Sequence, residues 1–352
     1  MKADVSDFYS VTPGHYRYAG PAGWKHFHLL LCALIENINM TSIKEINTVM
    51  AIVLFKGHNK DKTSDRSYRT ISTCPVVAKG LDTYVRGLHL PKWNLDKSDT
   101  QFQAEGSSHE LAALLLTEVI QQSLHGIKQP LYVLFLDAKS AFDVVLKELL
   151  IKNLYHCNTT GQSLVYFNNR LENRETFIEW DGKIVGPIFD ESGLEQGGIN
   201  SSCFYKIFGK EQLSSAQQSE LGVKISDDLI ISGIGQADDT LLLSNNIQNL
   251  MYLLHLTKVF CTKYQVQLCA EKTKLLAFHS KGMEFAVDYA KAVNPLQIND
   301  EQITFVDSAE HVGMLRSTSG NHVTIQARIT AHKRHRGTVS YTHLTLPTTP
   351  YV

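Results

Sequence analysis

The chain lacks an excess of either charge, a long apolar run and any regular spacing of cysteines. Its 34 Lys and Arg against 35 Asp and Glu give a net charge of −1, so no overall basic field indicates a nucleic-acid partner. The apolar run at residues 29–35 is too short to span a bilayer and lies too far into the chain to be a signal peptide. We therefore expect an intracellular protein without a membrane segment.

Metal and hydrolase motifs of the common kinds are also missing. The six cysteines, at positions 32, 74, 157, 203, 261 and 269, include no C-x₂-C pair, so we expect reduced thiols rather than a zinc site or a disulfide framework. No His-x₃-His pair lies on a predicted helix, and no Ser–His–Asp arrangement is visible. With 43% hydrophobic residues in 352, the composition is that of a globular protein with two or three structural units and a sizeable core.

Two acidic segments about a hundred residues apart carry most of the information that is present. In the first, the apolar run 131–136 ends on Asp137, and in the second, the run 230–234 leads to Asp238 and Asp239 before another apolar run. An ionised carboxylate is costly to bury unless it is paired or holds a cation. Two such carboxylates repel each other unless metal ions lie between them, which is the arrangement of a two-metal phosphoryl or nucleotidyl transfer site.

The rest of the chain shows signals for both helices and strands. We predict an irregular lead-in over 1–23, and a helix that Ser107 and Glu110 begin with capping-box spacing and Gly126 ends. A helix is expected over 144–155, and a hairpin at 177–185 has Asp-Gly at its turn. Further expectations are a loop feeding a helix at 192–210, a strand–turn–strand unit at 228–244, a helix at 247–266, and strands at 273–279 and 303–306.

Positive charge is concentrated in one loop, residues 56–69. The loop holds five cations against Asp61 and Asp65, namely Lys56, Lys60, Lys62, Arg66 and Arg69. Such a loop is either a phosphate-binding element or a solvated face without a ligand.

A set of short motifs resembles reverse transcriptases, and most closely the polymerases of non-LTR (LINE-type) retrotransposons. The resemblance covers roughly residues 50–335, and its motifs stand in the family order. They are Asp65–Ser72, Gln101–Glu110, Asp137-x₃-Ala141-Phe142-Asp143, Glu195-Gln196-Gly197-Gly198-x₂-Ser201-Ser202, Ala237-Asp238-Asp239, Ala270–Lys274 and the primer-grip turn Ala309–Gly313.

The resemblance implies a metal site and the chemistry around it. Asp137, Asp238 and Asp239 would hold two Mg²⁺ ions about 4 Å apart, because magnesium accepts few carboxylates and keeps positions for phosphate and water. Lys272 matches the lysine that protonates pyrophosphate. The expected substrates are dNTPs, added to a DNA primer along an RNA template.

Further residues match the family's nucleotide-binding positions. Phe142 stands at the sugar gate, where a ring excludes a 2′-hydroxyl, although a phenylalanine taken alone is usually a core residue. Gln196 and Gly197 match the loop that approaches the templating pair, where glycine lets the backbone come close. Arg69 and Lys56 are expected to contact the triphosphate.

The sequence also departs from the family pattern. Gln236 replaces an aromatic residue, Thr70 stands where proline is usual, and Ser201-Ser202 replaces Ser-Pro. Glu195 replaces an arginine, which we expect to reverse a charge near the template. None of these changes removes a metal ligand.

We therefore predict an α+β fold in the shape of a polymerase right hand. The expected units are a helical lead-in (1–50), fingers (51–130), a palm with the catalytic motifs (131–290), and a primer grip with a partial thumb (291–338). Residues 339–352 read as an adapter-derived, non-native tail, and we expect neither an endonuclease domain before residue 50 nor a zinc knuckle after 330.

Three functions fit this pattern. One is a competent polymerase in the nucleus or in a cytoplasmic ribonucleoprotein. The second is a truncated copy, and the third is a domesticated, inactive fold that serves as an RNA-binding scaffold. An unrelated two-metal nuclease is disfavoured by the Gln-Gly loop between the acidic segments.

Overall fold

A computed structural model describes residues 6–37, 44–57, 61–64, 67–93, 108–236 and 239–319. Its helices are α1 (Pro13–Arg17), α2 (Gly20–Glu36), α3 (Lys44–Asn47), α4 (Val76–His89), α5 (His109–Gln121), α6 (Lys147–His156), α7 (Gly161–Glu172), α8 (Ser201–Gln218), α9 (Ile247–Tyr264) and α10 (Glu284–Val293). Its strands are β1 (Thr48–Phe55), β2 (Tyr68–Thr73), β3 (Leu131–Leu136), β4 (Glu175–Trp180), β5 (Lys183–Phe189), β6 (Val223–Ser226), β7 (Leu229–Ile231), β8 (Gly233–Gln236), β9 (Asp239–Ser244), β10 (Lys274–Phe278), β11 (Gln297–Ile298), β12 (Glu301–Gln302), β13 (Ser308–His311) and β14 (Met314–Ser317).

The central sheet has the strand order β10-β3-β9-β8, and all its pairings are antiparallel. Every residue of β3 is buried, which explains why its sequence is continuously apolar rather than alternating. Burial contributes about 1.5–3 kcal/mol for each large apolar side chain. The predicted strand at 131–136 and the strand–turn–strand unit at 228–244 are both present, the latter as β7, β8 and β9.

Each face of the central sheet packs against its own layer. On one face, alternate residues of β3 such as Leu134 and Leu136 join a large core. That core includes residues of α6, α8 and α9, among them Leu150, Leu154, Phe204, Ile207, Leu250 and Leu253. On the other face, Val133 and Phe135 pack with Leu116 of α5 in a second core. The sheet is therefore fixed from both sides, and the ends of its strands are held in place.

A second sheet has the strand order β2-β1-β4-β5. β4 and β5 form the predicted hairpin, whose turn residues Asp181 and Gly182 both have positive φ, as a two-residue type I′ turn requires. β4 pairs in parallel with β1, so residues 175–189, predicted as part of the palm segment, lie in the same sheet as β1 and β2.

Several predicted boundaries were wrong. The lead-in 1–23 contains α1 and the start of α2. Ser108 rather than Ser107 caps α5, because the Ser108 side chain accepts from the Leu111 amide; Ser107 lies outside the described residues. Gly126 does not end this helix, which continues into a π-helical turn and stops at Lys128 in the left-handed conformation. The helix expected over 144–155 begins only at Lys147.

The carboxyl-terminal part of the described chain forms small hairpins. β13 and β14 are joined through Val312 and Gly313, which both have positive φ, so the predicted primer-grip turn is a tight hairpin. The strand predicted at 303–306 is reduced to a single bridge between Phe305 and Leu275. The predicted thumb residues after 319 and the tail 339–352 lie outside the described residues. No helix in the described part is long and apolar enough to cross a bilayer.

Candidate active site at the ends of two buried strands

Asp137 follows the last buried residue of β3, and the backbone around it is firmly held. Its amide donates to the Thr273 hydroxyl at 3.3 Å, and its carbonyl accepts from the Cys269 amide at 2.8 Å. The amide of Lys139 donates to the Gln267 carbonyl at 2.8 Å. These contacts fix the main chain beyond the strand, so the carboxylate is presented from a rigid support.

Asp239 begins β9, the strand beside β3. Leu136 pairs with Thr240, so one step further along the same antiparallel register places positions 137 and 239 opposite each other. Directly opposed residues have Cα atoms about 4.5–5.5 Å apart, and like charges at such positions are unfavourable. Asp238, which immediately precedes Asp239 in the sequence, lies outside the described residues.

One oxygen of Asp137 has the character of a cation ligand. Its Oδ2 atom is covered by protein and has no hydrogen-bond partner. The Lys272 ammonium is 3.5 Å away, which forms an ion pair without a hydrogen bond. Carboxylate oxygens are the ligands that Mg²⁺ prefers. The pair Asp137 and Asp239 therefore fits a divalent cation, although the described residues contain no cluster of three metal-ligating side chains.

A cavity of about 1230 Å³ brings many of the predicted site residues together. Six of them line it: Lys56, Arg69, Asp137, Phe142, Gln196 and Lys272. Gly197 and Asp239 are outside this lining. Of the basic loop, Lys62 is also at the wall, while Lys60 and Arg66 lie outside the described residues. The lining of the cavity thus combines several cations with the Asp137 carboxylate.

Phe142 lies in the irregular segment between β3 and α6. Its ring stacks on Tyr205 of α8, with centroids 4.6 Å apart and planes inclined by 13°, and its carbonyl accepts from the Leu194 amide at 2.8 Å. Ser140, two residues earlier, has a φ of +47°, a conformation that residues other than glycine seldom adopt. The ring is held on one side by Tyr205, and Phe142 lines the cavity; its gate role stays a prediction.

The Gln196–Gly197 segment packs directly against β2. The Ser72 amide donates to the Gln196 carbonyl at 2.8 Å. Gly197 has a φ of +103°, and a Cβ there would lie 3.2 Å from the Ser72 carbonyl oxygen. Both observations require glycine, because other residues are strained at this φ. The close backbone approach seen here is to strand β2, and the predicted approach of this loop to the templating pair stays a prediction.

Glu195 does not face the cavity, so the expected charge reversal near the template was wrong. Its Oε1 lies 3.6 Å from the guanidinium of Arg170, and its Oε2 accepts from the Cys74 thiol at 2.6 Å. Burial, and then the Glu195 carboxylate, raise the pKa of Cys74 well above its ordinary value, so the thiol keeps its proton. The buried guanidinium of Arg170 therefore holds the Glu195 side chain in the interior.

Sequence analysis missed Arg170 and its other partners. The Arg170 guanidinium lies 3.3 Å from Asp82 of α4 and donates to the Ile46 carbonyl at 2.8 Å. The Tyr166 hydroxyl donates to Asp82 at 2.7 Å. The sequence did contain a signal for this residue. Arg170 follows Tyr166 by four positions, so both lie on the same side of α7, and both are buried. This network ties α4 and α7 to the loop that carries Gln196.

Two aromatic residues in the cavity wall were also missed. Tyr68 of β2 and Trp180 of β4 both line the cavity, and their ring centroids are 5.0 Å apart. No local signal marks them, because their proximity depends on the pairing of β1 with β4.

Comparisons with known proteins give the family from one source and the fold from another. A family model described as "Reverse transcriptase (RNA-dependent DNA polymerase)" matches residues 58–308. A solved structure of apo telomerase from Candida Tropicalis, truncated from its C-terminal domain, aligns with a TM-score of 0.51 at 13% identity. The alignment covers 84% of this chain and 59% of that one. At this identity the likeness shows the fold, an α+β polymerase right hand. No curated protein sequence matches the chain.

Proposed function

The chain belongs to the reverse transcriptase family, and from this premise we propose that it is an RNA-directed DNA polymerase domain of a non-LTR retrotransposon. The reaction is two-metal nucleotidyl transfer, which adds dNTPs to the 3′-hydroxyl of a DNA primer on an RNA template. The chain spans 59% of the length of the telomerase structure to which it is similar. The activity, substrates and partners of this chain are therefore proposed. We also propose that it acts in the nucleus or in a cytoplasmic ribonucleoprotein.

One observation carries this proposal. Two aspartates, Asp137 and Asp239, lie at adjacent ends of paired strands, and Asp137 Oδ2 is covered without a hydrogen-bond donor. The Lys272 ammonium at 3.5 Å forms an ion pair with this atom but no hydrogen bond, and most covered polar atoms in proteins have a hydrogen-bond partner. The cavity in front of it has Lys56 and Arg69 in its wall, and these cations suit a triphosphate.

The carboxylates of Asp137, Asp238 and Asp239 would hold two Mg²⁺ ions. When bound, the ions lower the pKa of the primer hydroxyl and neutralise charge on the triphosphate. No protein nucleophile is needed.

The other residues position the substrates. Phe142 closes the space beside the sugar, and Gln196 with Gly197 supports the nucleotide that pairs with the template. Arg69 and Lys56 bind the triphosphate, and Lys272, whose side chain is 67% exposed, donates a proton to the departing pyrophosphate.

Primer extension tests this function. The full chain is given a DNA primer on an RNA template with dNTPs and Mg²⁺, beside Asp137→Ala and the control Asp227→Asn. Asp227 is almost fully exposed in the β6–β7 turn, so its variant should retain wild-type activity. We expect extension by the wild type and the control, and its loss in Asp137→Ala or with a chelator.

The opposite result separates the alternatives. A folded wild type that binds primer–template without extending it would contradict the polymerase proposal and support an RNA-binding scaffold. Binding that survives chelation and Asp137→Ala would point the same way. Cleavage of the nucleic acid in place of extension would support a nuclease.

A further inference from the structure

Helix α2 carries a histidine and a cysteine one turn apart on the same side. His28 and Cys32 are four residues apart, and this spacing places two side chains one above the other on a helix. The Sγ atom of Cys32 lies 3.6 Å from Nε2 of His28. His28 is exposed, and Cys32 is a partly exposed free cysteine, so solvent reaches both side chains.

The separation of these two atoms is that of two ligands on one zinc ion. Tetrahedral Zn²⁺ binds cysteine sulfur at about 2.3 Å and histidine nitrogen at about 2.0–2.1 Å. At the tetrahedral angle, these bond lengths place sulfur and nitrogen about 3.5 Å apart. A hydrogen bond from the thiol to the ring gives a similar distance. The side chains therefore need no rearrangement when a cation takes the place of the thiol proton.

The two side chains supply half of a tetrahedral site. Within the part of the chain that the structure describes, no third metal-ligating side chain joins them. His26 is not available, because its Nδ1 donates to the Ala22 carbonyl at 2.8 Å and side chains two residues apart do not face each other on a helix. A structural zinc site takes four protein ligands, and a second copy of this chain offers the same two again.

The packing of α2 leaves this pair beside the contact with α4. Phe27 and Leu31 face Gly80 of α4, where a Cβ would lie 3.3 Å and 3.6 Å from them. His28 and Cys32 each follow one of these two residues, which turns them by about 100° around the helix. No residue of α2 is buried, so another molecule can reach the pair.

The outer side of α2 is apolar. Trp24, Leu29 and Leu30 are 51%, 54% and 44% exposed, and Lys25 and Glu36 are the only formally charged residues of the helix. A nucleic acid requires a basic surface, and a helix on a membrane surface has a polar face rich in Lys and Arg. An exposed apolar side of this kind suits contact with another protein surface.

A second copy of α2 fits this side when the two helices run antiparallel. A two-fold axis near residue 30 sets His28 of one copy opposite Cys32 of the second copy, and the symmetry repeats this pair. The same axis sets Lys25 opposite residue 35 of the second copy, next to its Glu36. Charges of opposite sign therefore meet at both ends of the contact, and a net charge of −1 per chain gives little overall repulsion.

We propose that His28 and Cys32 bind one Zn²⁺ together with the same two residues of a second copy, in a Cys₂His₂ site that joins two chains. Each thiol releases its proton to water when its sulfur binds the ion, and the two thiolates balance the charge of Zn²⁺. Each His28 is neutral, with Nε2 on the ion and the proton on Nδ1.

The zinc site is independent of the polymerase function. The cavity with the aspartates has no residue of α2 in its lining. The expectation of reduced thiols without a zinc site concerned the spacing of cysteines within one chain, and that spacing is not required when each chain contributes one cysteine and one histidine.

Zinc-dependent dimerisation tests the proposal. The full chain, kept reduced by a phosphine and supplied with excess Mg²⁺ for its carboxylates, is measured by analytical ultracentrifugation with and without Zn²⁺. The variants are His28→Ala and Cys32→Ser. Their controls are His26→Ala on the same helix and Cys157→Ser, since Cys157 is also a partly exposed free cysteine.

Cobalt(II) gives a second measurement that does not depend on mass. A thiolate bound to Co²⁺ produces a charge-transfer absorption that imidazole and carboxylate ligands do not give, and tetrahedral sites with sulfur and nitrogen ligands accept this ion in place of zinc. The chain has 15 histidines, so the difference between variants is compared rather than the total metal bound.

We expect zinc to convert the wild type from a monomer of 39.5 kDa to a dimer, with one thiolate-bound ion for two chains, and a chelator to reverse this. His28→Ala and Cys32→Ser should lose zinc affinity by more than about 100-fold, the upper range for loss of a contact that only supports a ligand. Both controls should follow the wild type.

Several results would overturn the proposal. They are a mass that does not depend on zinc, a chain that binds zinc and stays monomeric, a charge-transfer band that survives in Cys32→Ser, and an equal zinc response in His26→Ala and His28→Ala. Circular dichroism of each variant checks that a lost response does not come from a lost fold.

Discussion

The guanidinium of Arg170 lies 3.6 Å from the carboxylate of Glu195, inside the protein rather than at the cavity. Glu195 immediately precedes Gln196, so this ion pair anchors the loop that is proposed to support the incoming nucleotide. Asp82 shares the same guanidinium at 3.3 Å. One buried cation therefore serves two carboxylates, and removing it leaves both without their counter-charge.

Replacement of Arg170 by methionine should be strongly destabilising. The residue is 7% exposed, and breaking a buried ion pair by removing one partner costs about 3–5 kcal/mol. The free energy of unfolding, measured with urea, checks this. Lys263→Met is the control, because Lys263 and Glu211 form an exposed pair worth about 0–1 kcal/mol. Equal losses in the two variants would contradict the central role of Arg170.

Replacement of Gly197 by alanine should also destabilise the protein. The φ of +103° and the nearby Ser72 carbonyl oxygen impose backbone strain of about 1–3 kcal/mol. Gly87→Ala should instead stabilise the protein, since Gly87 lies within helix α4 and a Cβ there meets nothing within 4 Å. Alanine in a helix is favoured over glycine by about 0.5–1 kcal/mol. Thermal unfolding of both variants measures this difference, and a stabilising Gly197→Ala would refute the argument.

Replacement of Phe142 by valine should relax selection against ribonucleotides. The ring is backed by Tyr205 at 4.6 Å, so it is a rigid barrier rather than a mobile one. Loss of the barrier should raise the use of rNTPs relative to dNTPs by roughly 10- to 100-fold, the range in which a pocket rejects one added hydroxyl. Relative kcat/KM values for the two nucleotides measure the change. Tyr205→Leu should have a smaller effect, and an unchanged ratio in Phe142→Val would exclude the gate role.

Stability should fall in mild acid because of His311. Burial, and then Arg316, lower the pKa of this histidine to about 4, whereas its unfolded value is near 6.5. Between these values the unfolded chain binds more protons, so the stability present above pH 6.5 is lost as the pH falls toward 4. The loss attributable to this group is about 2 kcal/mol between pH 7 and pH 5.

The comparison with a variant isolates the histidine from other titrating groups. His311→Phe keeps a ring against Phe135, whose centroid lies 6.2 Å away, and removes the titration. Urea unfolding at pH 7 and pH 5 should show a smaller loss for this variant than for the wild type. The exposed His255 supplies the control His255→Gln, which should follow the wild type. Identical pH dependence in all three proteins would show that His311 is not responsible.

Local signals in the sequence were sufficient for the strands that carry the aspartates. The apolar run before Asp137 and the run after Asp239 became β3 and β9 as predicted, because a fully buried strand must be apolar throughout. The Asp181–Gly182 hairpin was equally predictable, since few residue pairs tolerate positive φ at both turn positions. Boundaries were less certain: Ser107 and Ser108 have nearly equal capping potential, and packing decides between them.

The sequence by itself determined the family, the order of the motifs and the residues proposed to hold metal. Each of these depends on short motifs whose residues are close together along the chain. Only the tertiary structure decided where Glu195 points and what Trp180 faces. Arg170, Asp82 and Cys74 meet Glu195 from separate elements, and Trp180 reaches Tyr68 through the pairing of β4 with β1. Both are contacts between distant parts of the chain, and their energy depends on burial and geometry that appear only when the sheets and helices have packed.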